Sequence, residues 1–109
     1  MRIPDFPFSL TDWSQIPATE QNGAKGQTFS RTQKFGATRV RMVEFSPNYL
    51  ADHWCVKGHI ILCLEGEMTI GLKDGREFLM KPGTSFQIAD DAEPHISRTD
   101  IGAKLFIVD

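Results

Sequence analysis

At 109 residues the chain is sized for one domain rather than two. With 40% hydrophobic residues and eight phenylalanines it reads as globular, not disordered. A formal charge of -2 leaves no basic excess to neutralise phosphates, which argues against nucleic acid as a partner.

The opening residues, MRIPDFPFSLTDW, carry no charged segment followed by an apolar one, so a signal peptide is not expected. No apolar run approaches the ~18 residues of a membrane span. The expected location is the cytoplasm, where Cys55 and Cys63 stay reduced. A metal or free-thiol role then ranks above a disulfide for these two residues.

Residues 1–26 form an N-terminal arm. Pro4, Pro7, Pro17 and the stretch NGAKG break regular structure there. Residues 11–16 fit one helical turn capped by Thr11 or Asp12, with Trp13 and Ile16 packing the arm onto the body. From residue 27 to 109 the pattern changes. Short segments rich in β-branched and aromatic residues recur, bounded by Gly, Pro, Asn or Asp. Strands are expected at 28–34, 38–45, 58–64, 68–72, 76–80, 85–88, 95–98 and 104–108. Lys73-Asp74-Gly75-Arg76 supplies the Asp-Gly pair that primed hairpin turns need. Leu64-Glu65-Gly66-Glu67 and Lys81-Pro82-Gly83-Thr84 read as two further tight turns. Nothing keeps a helical period, so the class is all-β, a barrel or jelly roll.

The densest chemistry lies in ADHWCVKGHIILCLEG, residues 51–66, which holds His53, Cys55 and His59. Imidazole nitrogen and thiolate sulfur are the donors that hold a borderline-soft transition metal. Strand parity puts His53 and Cys55 on one face and turns Trp54 away into packing. The run from His59 to Leu64 is apolar on both parities, so both of its faces need burial. One can face a barrel interior. The other needs the arm or a second subunit as cover, which motivates a homodimer.

The order of these residues resembles a family. His53-X-Cys55-X3-His59-X6-Gly66 is similar to the first cupin motif, usually HXH-X3-4-E-X6-G. Residues 81–88, KPGTSFQI, followed by Glu93-Pro94-His95, resemble the second: a Pro-Gly turn, a strand, then proline and histidine. Together the two motifs cover roughly half the chain. Asp52-His53-Trp54-Cys55 further resembles the mark of a group of small bacterial cupins defined by sequence rather than by one activity.

The resemblance implies a cupin-like jelly roll, a conical β-barrel with a metal inside. It maps the metal ligands onto His53, Cys55, His59 and His95. Cys55 stands where histidine is usual and His59 where glutamate is usual, so the donor set shifts toward nitrogen and sulfur. That set suits Zn²⁺ first, then Ni²⁺, Fe²⁺ or Cu, and disfavours Mg²⁺ and Ca²⁺. Four closed ligands would make a structural site, and three would leave a position for water or substrate. A nucleophilic Cys55 activated by a histidine ranks below ligation.

Other residues carry weaker signals. Residues 38–45 hold charges on both parities, so one of Arg41 and Glu44 is a candidate to point inward. An inward Arg41 would clamp a substrate carboxylate, and a cross-strand surface ion pair is the plainer alternative. Gln87 and Glu93 are candidates to orient His95 or a ligand. Cys63, Phe78, Met80 and Phe86 read as core. The resulting expectation is a metal-binding cupin, of isomerase or lyase type, acting on a small carboxylate or sugar-derived metabolite. The alternative is a non-catalytic ligand-binding or sensing cupin with a closed metal site.

Overall fold

The computed structural model describes residue 3 and residues 6–109. Pro4, one of the expected breakers of the arm, lies outside the described residues. The strands are β1 (Thr19–Asn22), β2 (Gln27–Phe35), β3 (Thr38–Phe45), β4 (Tyr49–Leu50), β5 (His59–Gly66), β6 (Met68–Leu72), β7 (Glu77–Met80), β8 (Ser85–Ile88), β9 (His95–Thr99) and β10 (Ala103–Val108). They pair antiparallel in two sheets, ordered β1-β2-β3-β10-β5-β8 and β4-β9-β6-β7. This is the all-β jelly roll that the strand pattern predicts.

Period-2 alternation builds the core. Ala103, Leu105 and Ile107 of β10 are buried while Lys104 between them is exposed. Val43 and Phe45 of β3 are buried and Glu44 is exposed. Ile61 and Cys63 of β5 meet them, and Met68, Ile70 and Met80 close the core from the other sheet.

Register and turns set the corners. At Lys73-Asp74-Gly75-Arg76, Gly75 has φ 98° and the Leu72 amide donates to the Arg76 carbonyl at 2.8 Å, closing the β6–β7 hairpin. The tight turn expected at residues 64–67 is instead a change of sheet. β5 runs on to Gly66, and β6 begins at Met68 in the other sheet. Gly66 has φ 73°, and a Cβ there would fall 2.0 Å from the Gly102 carbonyl oxygen. Only glycine fits that corner.

The arm is less irregular than its composition predicts. Asp12 accepts from the Ser14 amide at 3.0 Å and caps a 3-10 turn at Trp13–Gln15. Residues 19–22, TEQN, add β1 as an edge strand on β2. All four are exposed, so no burial pattern announced them. Arg31 donates through Nη1 to the Ile16 carbonyl, holding the arm against β2. The arm therefore lies over β2 and β3. It leaves Ile60 and Leu64, on the outer face of β5, 47% and 39% exposed.

Candidate functional site

Three strands turn from apolar to polar at one end of the sandwich, on the same inward face. Along β3 the inward residues run from Phe45 and Val43 to Arg41 and Arg39. Along β5 they run from Cys63 and Ile61 to His59. Along β10 they run from Leu105 and Ile107 to Asp109, just past the strand. Together with Thr28, Ser30, Tyr49, Cys55 and His95, this polar end lines a cavity of about 440 Å³.

Cys55, His59 and His95 converge there. One ligand atom from each lies within 4.8 Å of the others. Cys55 reaches the group through a single antiparallel bridge: its amide donates to the His95 carbonyl at 2.7 Å, and its carbonyl accepts from the His95 amide at 3.0 Å. His95 is buried, with its Nδ1 2.9 Å from the Glu93 carbonyl. A carbonyl only accepts, so Nδ1 carries the proton and Nε2 keeps its lone pair. His59 has its Nδ1 3.4 Å from Asp109 Oδ2, which likewise directs its Nε2 inward. The two Nε2 atoms face one another at 2.8 Å. Two lone pairs at that distance repel unless a proton or a cation lies between them.

Asp109 is the hub behind His59. Its side chain is fully buried. Arg39 grips it with Nε at 3.0 Å and Nη2 at 3.1 Å, and Arg41 Nη2 lies 2.7 Å from Oδ2. Burial alone would raise the Asp109 pKa, but Arg41, Arg39 and His59 outweigh it and hold the carboxyl below its usual range. Burial lowers the pKa of His59, with His95 and Arg41 adding to the effect and Asp109 opposing it. A neutral imidazole is the form that ligates a metal. Two guanidinium groups face one carboxylate, so the cavity wall keeps a positive excess. Arg41 Nε is buried with no acceptor among the described residues.

The remaining candidates fall as follows. His53 does not join the three. Its side chain is 74% exposed, with Nδ1 2.6 Å from Asp52, although it lines the cavity rim. Residues 51–58 form a loop and not a strand, so the period-2 parity that grouped His53 with Cys55 does not operate there. For the same reason Trp54 is not packed away: it is 40% exposed, with Lys73 Nζ 5.0 Å from its ring centre. Of Arg41 and Glu44, Arg41 points inward and Glu44 is exposed. Glu93 serves His95 through its backbone carbonyl, while its side chain pairs with Arg76. Gln87 is exposed and hydrogen-bonds Ser85 at 3.4 Å, away from the cluster. Cys63 is fully buried, and burial raises its pKa. Met80 is core, and Phe86 packs half-buried against it. Phe78 is not core, being 49% exposed. Arg39 and Asp109 were missed. Their signal was inward parity: each continues the face of buried residues on its strand.

No protein-family model matches the sequence, and no curated protein matches it. Solved structures do. The polyketide cyclase RemF from Streptomyces resistomycificus is similar with a TM-score of 0.76 and 27% identity, over 94% of this chain and 78% of that one. A predicted oxalate decarboxylase from Thermotoga maritima gives 0.77 and 15%, over 92% and 96%. A sugar phosphate isomerase of the cupin superfamily from Silicibacter pomeroyi gives 0.70 and 18%, over 92% and 74%.

Proposed function

This chain has the fold of a small cupin, and we propose that it is a metal-dependent enzyme of isomerase or lyase type. In this reading Cys55, His59 and His95 hold one divalent transition metal, and a small carboxylate-bearing metabolite is the substrate. The observation that carries the reading is the pair of imidazole Nε2 atoms facing at 2.8 Å. Both rings have their outer nitrogens committed to acceptors, and Cys55 Sγ is beside them. The mixed nitrogen and sulfur set favours Zn²⁺. A bound ion of this kind supplies Lewis acidity toward a carbonyl or carboxylate oxygen.

The chain's own groups do the rest. The Glu93 carbonyl and Asp109 fix the orientation of the two rings. Arg41 Nε is a free buried donor for a substrate carboxylate, with the Thr28 and Ser30 side chains on the same wall. His53, at the rim with Asp52 behind its Nδ1, is the imidazole available to move a proton. The names of the similar structures, a cyclase, a decarboxylase and an isomerase, support carbonyl and carboxylate chemistry. Three converging protein ligands favour an open position over a closed structural site, which takes four. The exposed outer face of β5 supports a homodimer, which light scattering at twice the chain mass would register.

Elemental analysis of protein purified without added metal tests the reading, run beside Cys55→Ser and His95→Ala. Close to one equivalent of Zn, Ni, Fe or Cu, lost in both variants, is expected. Wild-type protein that takes up no metal even after incubation with each ion overturns it.

A further inference from the structure

β7 ends one sheet and β8 ends the other, and the sandwich stays open between them. Phe78 of β7 pairs across from buried Ile70 and shares a face with buried Met80, so strand parity turns it inward. An inward residue should be dry, yet half of Phe78 is accessible. The cause is a pocket of about 440 Å³ that opens at this flank. Its floor is Ile70, Met80 and His95, each no more than 3% exposed. Phe78, Phe86 and Ile88 form its walls. Arg76 and Glu93 also line it and pair with each other at 2.5 Å, so their charges are mutually satisfied, and Thr84, Ser85 and Gln87 add neutral polar groups to a mainly apolar lining.

Phe86 stands against both imidazoles of the metal cluster. Its ring is edge-on to His59 and to His95, with centroids 5.9 Å from each. The flank pocket and the cavity of the candidate metal site thus meet at His95, which lines both.

We propose that this flank pocket is a second binding site, for a flat apolar molecule of one or two fused rings. A concave space of a few hundred cubic ångströms with apolar and aromatic walls is the shape that holds small molecules. A protein partner would need roughly 800 Å² of matching surface on each side. Phe78 and Phe86 offer edge and face contacts to a ring. Met80, unbranched and polarizable, adapts to its outline. The site does not rest on the metal reading, because its apolar lining, Ile70, Phe78, Met80, Phe86 and Ile88, contributes no ligand to the metal cluster.

The test is a titration of wild-type protein with 2-naphthol, followed by NMR. Saturable one-to-one binding is expected, with shifts concentrated on Ile70, Met80 and Ile88 whether or not zinc has been added. Phe78→Asp sets a charge on the pocket wall and is expected to weaken binding at least tenfold. Ile60→Lys, on the outer face of β5, leaves binding unchanged. The wild-type shift map decides the matter even if Phe78→Asp does not fold. Absence of saturable binding, or shifts centred on Ile60 and Leu64, overturns the proposal. So does a wild-type dimer in sedimentation that Phe78→Asp converts to monomer, since a second copy would then fill the flank.

Discussion

The two ends of the sandwich share strands and differ in residue type. At one end Val43, Phe45, Cys63 and Leu105 interlock with Met68 and Ile70 from the facing sheet. At the other end, on the same inward face, stand Arg39, Arg41, His59 and Asp109, with His95 opposite. The apolar end gains from burial, at about 25 cal/mol per Å² of apolar surface. The polar end must offset the desolvation of charged groups with paired contacts. A single backbone pattern therefore carries both stability and chemistry, and the boundary falls within two residues on each strand. If that division is real, substitutions at one end should leave the other end's property intact.

The largest effect is expected at the apolar end. Leu105 is fully buried between Val43 and Cys63 in the sheet. Leu105→Ala should cost about 2–5 kcal/mol, a large share of the roughly 5–15 kcal/mol that holds a domain together. Denaturant titration measures the cost. Zinc affinity of the folded fraction should stay within a factor of about three, and a loss comparable to that of a ligand variant would show that the ends are coupled.

The two cysteines sharpen the comparison, since each belongs to one end. Cys55→Ser should weaken metal binding at least tenfold and leave the metal-free melt nearly unchanged. Cys63→Ser should do the reverse: a hydroxyl in the core costs on the order of 1–3 kcal/mol, with metal binding unaffected. Equal zinc affinity in the two variants, read by competition with a chelator, would sink the ligand assignment.

How far the sequence disclosed this division depends on the end. The apolar end was legible because short strand-like segments are bounded by turn residues, and β3, β6 and β8, of eight, five and four residues, begin and end where the pattern predicts. β1 and β4 were not. β1 is polar and exposed on every residue, and β4 has only two, too few for any period. At the polar end Cys55, His59 and His95 were visible as residue types. Their convergence was legible only through the family resemblance and not from periodicity, because it depends on one bridge between a loop and β9. His53 was grouped with them by the family motif, and by a strand parity that does not extend into that loop. Asp109 was overlooked because it follows the last apolar residue of β10, although parity pointed it inward.

Asp109→Asn probes the polar end from behind the ligands. It removes the acceptor that orients His59 and leaves Arg39 and Arg41 without their carboxylate. Zinc affinity should fall roughly tenfold, the usual cost of losing such a partner. Metal-free stability should also change its pH dependence. His59 has a lowered pKa in the fold, so the unfolded chain takes up its proton first. The stability present above the ordinary histidine value near 6.5 is therefore lost as pH falls toward the folded value. Asp109 is lowered as well, so its contribution holds above its ordinary range, near 3.9, and is lost as pH falls through the folded value. Asp109→Asn abolishes this second loss. It should deepen the first, because it removes the group that held the His59 pKa up. Urea melts between pH 3 and 8 separate the two limbs, and an unchanged acid limb in the variant would detach Asp109 from the network.

The smallest effect should come from an ion pair of similar appearance outside both ends. Arg98 grips Glu77 through two hydrogen bonds, at 3.2 and 2.7 Å, much as Arg39 grips Asp109. The difference is solvent: the Glu77 side chain is about half accessible while that of Asp109 is fully buried. In water each partner is nearly as well satisfied apart as together, and salt screens what attraction remains. Glu77→Gln should shift the melt by no more than the scatter between replicates and leave zinc affinity untouched, whereas Asp109→Asn moves both. A Glu77→Gln melt displaced as far as that of Asp109→Asn would mean that bidentate geometry, rather than burial, sets the worth of these pairs.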